Sequence, residues 1–150
     1  MTGPIFPDTS RGPSARKLAQ ADRVAILQRV PLFAGVPKRH IKQIARLTRL
    51  EQFEPDQDLI TQGQPSKAAF ILTAGKAGVH RRGHRTVEVG PGDIVGELGL
   101  LLDRPRLATV RSLTPIECLA LDRNGLKSCV TDLPGLGWYL LQTVAERLSN

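Results

Sequence analysis

From Glu51 to Asp122 every apolar run is short and is cut off by a turn signal: "EPDQ", "QGQPS", "TAGKAG", "RRGHR", "GPGD" and "LDRPR" follow one another at close intervals. Proline removes a main-chain donor and glycine opens left-handed backbone, so no long helix can propagate through such punctuation. Short strands joined by close turns remain. The runs between the breaks, "AAFILT", "AGVH", "RTVEV", "ATVRSL" and "IECLALD", are the right length and composition for strands of an antiparallel sandwich or barrel. Aromatic residues make up only 4% of the chain, so its core must be built from aliphatic side chains.

The two ends follow a helical period instead. A first helix is expected from near Leu18 to about Arg29, with Val24, Ile26 and Leu27 as its apolar positions and Pro31 as its stop. A second fits "PKRHIKQIARL", where Pro37 suits the first turn and Ile41, Ile44, Ala45 and Leu47 share a stripe. A last helix fits "GLGWYLLQTVAERLS", with Leu136, Tyr139, Leu140, Val144 and Leu148 on one side. The fold class that follows is α+β, mainly β: an antiparallel β-roll flanked by N-terminal and C-terminal helices. A chain of 150 residues makes one such domain, placed at 21–150. Residues 1–20, rich in Pro, Gly, Ser and Arg, are expected to form a flexible basic N-terminal tail.

The formal net charge of +7 calls for an anionic partner. Between Arg11 and Arg49 ten basic residues face the single acid Asp22, which makes either a solvated face or a docking surface for an acidic protein or a membrane. Nucleic acid is disfavoured, since only the charge speaks for it. No apolar run approaches the roughly 20 residues of a membrane helix, and the N-terminus lacks the apolar stretch of a secretory signal, so the expected location is cytoplasmic. Cys118 and Cys129 match no zinc spacing and are read as reduced, buried thiols. His80, His84 and Glu88 do not have the spacing of a cupin-type metal site, and the two histidines are expected on an exposed hairpin. His40, among lysines and arginines, is expected in solvent. Of Trp138 and Tyr139 one is expected in the core and the other at its edge. No Ser-His-Asp or Cys-His signature is present, which argues against an enzyme.

The stretch "VGELGLLLDRPRLATV", residues 95–110, places Glu97 and Arg106 in an otherwise apolar setting. If "ELGLL" makes one helical turn, its first amides lack intrahelical acceptors and Gly96 leaves them accessible. Such amides attract an anion. Arg106, brought back by the turn from Asp103 to Pro105, can offer its planar fork to the same anion, while Glu97 can accept from hydroxyls. The pattern describes a pocket for a ligand that is phosphate at one point and sugar at another.

On these residues, Val95-Gly96-Glu97-Leu98-Gly99-Leu100 followed by Pro105-Arg106-Leu107-Ala108-Thr109, the stretch resembles the phosphate-binding cassette of the cyclic nucleotide-binding domain family. The similarity extends from about "VPLFAGVP" through "FEPDQDLITQGQPSKAAFILTAGKAGV" to "LDRNGLKSCVTDLPGL" and "ERL", with Gly63, Gly75 and Gly92 at the family's turn positions. It implies a jelly-roll-like double-stranded β-helix and a regulatory domain that shifts its helices when a cyclic mononucleotide binds. Glu97 would hold the ribose 2′-hydroxyl and Arg106 the cyclic phosphate. Gly96 and the amides of Leu98, Gly99 and Leu107, with Ala108 beside them, would complete the cradle, and the base would lie against Val79. A single negative charge needs no metal.

Leu107 lacks the hydroxyl that cGMP-preferring members often carry there, which favours cAMP over cGMP as the ligand, and its bulk is expected to narrow the pocket. Val95 stands where an aromatic residue is usual. The resemblance also implies an effector protein or a fused effector domain to receive the signal. With Asn150 as its last residue, the chain is expected to leave no room for a full lid over the base, nor for a helix-turn-helix after it. The alternative is a module of the same fold that binds no nucleotide and docks an acidic partner through its basic helical face.

Overall fold

The computed structural model describes residues 18–149; the expected N-terminal tail lies outside them except for its last three residues. Two helices come first, α1 (Gln20–Gln28) and α2 (Lys38–Ala45), separated by a 3-10 turn at Pro31–Phe33. Eight strands follow: β1 (Arg49–Phe53), β2 (Asp58–Ile60), β3 (Ala68–Ala74), β4 (Ala77–His80), β5 (Val87–Val89), β6 (Ile94–Val95), β7 (Thr109–Ser112) and β8 (Ile116–Asp122). The short helix α3 (Leu98–Leu101) interrupts them, and α4 (Arg123–Asp132) and α5 (Leu136–Leu148) complete the chain. The strands form two four-stranded antiparallel sheets, ordered β1-β8-β3-β6 and β2-β7-β4-β5. This is the β-roll with flanking helices that the sequence pattern implies.

The near-continuous apolar runs of β3 and β8 follow from their place at the centre of the first sheet, which is covered on both sides. Side chains of a strand alternate between faces. Ala68, Phe70 and Leu72 therefore join Ile116, Cys118 and Ala120 in the core between the sheets. Ala69, Ile71, Leu119 and Leu121 instead meet the helices, in a second cluster with Leu27, Leu32, Phe33, Ile41, Ile44 and Leu136. Burial pushes the Cys118 thiol up to about 12, so it stays protonated and unreactive at neutral pH. Glu117 is a polar exception in β8, 1% exposed, and its Oε1 accepts a hydrogen bond from Thr73 Oγ1 at 2.9 Å.

Two sequence expectations change here. His40 is not in solvent: it is 5% exposed and its ring lies 6.0 Å from that of Tyr139, because α2 turns this side inward against α5. The basic run is also less uniform than its composition suggests. Arg23 points inward and donates to the carbonyl oxygens of Leu18 and Thr48, and Arg49 pairs with Glu51 and Asp122. Lys38, Arg39, Lys42 and Arg46 of α2 do face outward. Trp138 is exposed and Tyr139 half-buried, while His80 and His84 lie on the exposed β4–β5 hairpin.

Candidate functional site

The cassette is built where β6 leaves the first sheet. Val95 pairs with Phe70 across the ladder and sits buried between the sheets. Gly96 then takes φ +76°, a left-handed conformation that turns the chain out of the strand at little cost only for glycine. A Cβ here would also lie 2.6 Å from Arg106 Nη1 and 2.8 Å from Ile60 Cδ1, so the missing side chain makes room for the guanidinium. Glu97 opens α3, which Leu100 anchors by packing, 4% exposed, among the helices.

The return segment is held just as firmly. The amide of Arg106 donates to the Gln64 carbonyl at 2.8 Å, and the Arg106 carbonyl accepts from Gly63 at 2.9 Å. Pro65 and Pro105 form a bridge alongside. The half-buried guanidinium donates from Nη2 to the carbonyl of Ala68 at 2.5 Å and from Nη1 to that of Gly96 at 3.4 Å. Its hydrogen bonds among the described residues thus go to main-chain carbonyls, not to a carboxylate. Burial pushes its pKa below the ordinary arginine value, yet a guanidinium keeps its proton in proteins. The arrangement holds a partly desolvated positive charge that an anion beside it would offset.

That charge faces a cavity of about 650 Å³, within the roughly 300–1,000 Å³ usual for small-molecule sites. All eight residues singled out in the sequence line it: Val79, Gly96, Glu97, Leu98, Gly99, Arg106, Leu107 and Ala108. Val79, Val89 and Val110 give it an apolar wall, whereas Glu97, Arg106 and the cassette backbone form a polar end. The amides of Leu98 and Leu107 have no acceptor among the described residues, whereas that of Gly99 donates to the Gly96 carbonyl at 2.9 Å. Of the three amides expected in the cradle, that of Gly99 is thus engaged by the tight turn that begins α3. Leu107 sits at the mouth, 52% exposed. Among the described residues no cluster of side chains suits a metal ion.

Residues 50–132 match the family model of the cyclic nucleotide-binding domain. The chain belongs to that family. Over 128 residues, 82% of the chain, it is 28% identical to the CRP-like cAMP-activated global transcriptional regulator of Mycobacterium tuberculosis, and it covers 57% of that relative's length. It superposes with a TM-score of 0.75 and 30% identity on the N-terminal domain of a transcriptional regulator from Streptomyces coelicolor A3(2), covering 83% of this chain and 92% of the other. The regulatory subunit of a cAMP-independent protein kinase A from Trypanosoma brucei shares the fold, with a TM-score of 0.69 and 22% identity over 87% of this chain and 46% of that one.

This cyclic nucleotide-binding domain also shows what its sequence concealed. Val144 and Leu148 of α5 line the cavity, so the last helix covers part of it, which the sequence did not indicate. Leu148 is 81% exposed, so the last turn of that helical stripe serves the cavity rim instead of the core. Ser66 and Arg104 are lining residues too. Arg104 stands inside the cassette and was legible there as a second cation. Ser66 lies thirty residues upstream of the cassette, and only folding brings it to the site.

Proposed function

We propose that this chain is a cytoplasmic, non-enzymatic sensor that binds a 3′,5′-cyclic mononucleotide, cAMP in preference to cGMP. The observation that carries the reading is the Arg106 guanidinium, held over the cavity by the Ala68 and Gly96 carbonyls and with no carboxylate partner among the described residues. An exocyclic phosphate oxygen would supply the missing charge, and the amides of Leu98 and Leu107 would donate to it. Glu97, at the same polar end, would accept the ribose 2′-hydroxyl. The base would rest on Val79 and Val89 beneath Val144 and Leu148.

Preference for adenine rests on the apolar base wall and on Leu107, which offers no hydroxyl to guanine. The M. tuberculosis relative described as cAMP-activated supports the same choice. Ligand contact at both α3 and α5 would favour one helix arrangement over another, which is how binding becomes a signal to an effector protein or a fused effector domain. A ligand can shift that equilibrium only by binding the two arrangements unequally.

The competing reading has an observation of its own, the outward stripe of Lys38, Arg39, Lys42 and Arg46 on α2, which would dock an acidic partner with the cavity left unused. Calorimetric titration separates the two. Micromolar binding of cAMP, about −8 kcal/mol, with cGMP at least about tenfold weaker, is the expected result. Absence of heat with both nucleotides would favour the docking module.

A further inference from the structure

Ser66 is only 6% exposed, and its hydroxyl has no hydrogen-bond partner among the described residues. Among those residues the sole buried side-chain polar atom sealed from both solvent and partners is His40 Nε2. The Ser66 hydroxyl therefore keeps an opening, and the space Ser66 lines is the cavity. A hydroxyl held on a buried residue yet open to the cavity is placed to bond whatever polar group occupies that space.

Its location says what would arrive. A Cβ placed on Gly99 would lie 3.1 Å from Ser66 Cβ and 2.7 Å from Arg106 Nη1, so serine and guanidinium flank the same small volume. The segment carrying Ser66 is fixed on three sides. Arg123 at the start of α4 donates from Nη2 to the Ser66 carbonyl at 3.1 Å and from its amide to the Lys67 carbonyl at 2.8 Å. Gln64 accepts the Arg106 amide, and Ala68 accepts the Arg106 guanidinium. Arg106 is thus bonded to the chain on both sides of Ser66, at Gln64 and at Ala68.

We infer that Ser66 is a ligand contact: its hydroxyl donates to an exocyclic oxygen of the anion that pairs with Arg106, and so helps select a phosphate. The inference rests on the cyclic nucleotide reading and adds a residue outside the cassette. A hydroxyl rotates freely to meet an acceptor, and a hydrogen bond to a charged group is stronger than one between neutral groups.

The test is Ser66→Ala, measured by calorimetry with cAMP and with the two phosphorothioate diastereomers of cAMP, in which sulfur replaces one or the other exocyclic oxygen. Because the hydroxyl has no partner among the described residues and opens to the cavity, the unliganded variant should unfold at the wild-type temperature. Affinity for cAMP should fall by roughly tenfold or more, and the affinity ratio of the two diastereomers should change, since only one of them keeps the oxygen Ser66 contacts. Unchanged cAMP affinity would overturn the inference while leaving the nucleotide reading intact. A loss without a change in that ratio would also overturn it, by marking the effect as structural. Wild-type protein that binds no cAMP would overturn both.

Discussion

Replacing Arg106 with alanine is expected to weaken cAMP binding by about 2–5 kcal/mol, from roughly thirtyfold to several thousandfold. The size follows from the surroundings. The cavity wall is aliphatic, so a phosphate that loses the half-buried guanidinium keeps two backbone amides and a hydroxyl, and the remaining lining cation, Arg104, is solvent-exposed and offsets its desolvation only weakly. Arg106→Lys should fall between wild type and alanine, because an ammonium retains the charge but cannot span the Ala68 carbonyl, the Gly96 carbonyl and a phosphate with one planar fork. The unliganded fold should tolerate either change, since the main-chain ties from residue 106 to Gly63 and Gln64 do not involve the side chain. Calorimetry with each variant measures the series. Alanine and wild type binding cAMP equally would remove the arginine from the account.

Gly75→Ala is expected to cost about 2–4 kcal/mol of stability, lowering Tm by about 5–15 °C. Gly75 turns β3 into β4 at φ +92°, and an added Cβ would fall on the carbonyl oxygen of Pro115, with Ile116 Cγ1 and Thr114 Oγ1 each 3.0 Å away. Neither side can yield easily. The facing segment is fixed by Thr114 Oγ1 accepting the Lys76 amide at 2.9 Å and by the Leu113 amide donating to the Lys76 carbonyl at 2.9 Å. Gly63 provides the comparison, with φ +88° but open space where its Cβ would stand. Gly63→Ala should incur backbone strain alone, so in thermal unfolding it should melt clearly above Gly75→Ala. Equal melting temperatures would show that the clash at Pro115 is relieved by movement.

What the sequence revealed and what it hid divide along a physical line. The bounds of β4 and β8 match their quoted runs because each strand is defined by its own apolar pattern and the turns beside it. The two-residue β6 has no such pattern, and exists because Phe70 and Ile71 pair with it. The helix α4 was also missed: Gly125 and β-branched or small polar residues weaken its local preference, and it is held by burial of Leu126 and Cys129. His40 misled because a lysine- and arginine-rich neighbourhood says nothing about which side of α2 meets α5. The site shows the same division. Seven of its eight anticipated residues lie between Gly96 and Ala108, a contiguous cassette whose chemistry is visible in order. Ser66, Val144 and Leu148 reach the cavity from distant parts of the chain, so tertiary structure alone reveals them.

The central claim is that an anionic nucleotide is held jointly by Arg106, Glu97 and the cassette amides beneath the end of α5. A crystal structure of the protein grown in saturating cAMP tests it most directly. The account predicts a phosphate oxygen within hydrogen-bond distance of Arg106 Nη1 or Nη2, the ribose 2′-hydroxyl on the Glu97 carboxylate and the adenine against Val79. Nucleotide bound elsewhere on the protein, or a cavity left empty with Arg106 still bonded only to Ala68 and Gly96, would contradict it.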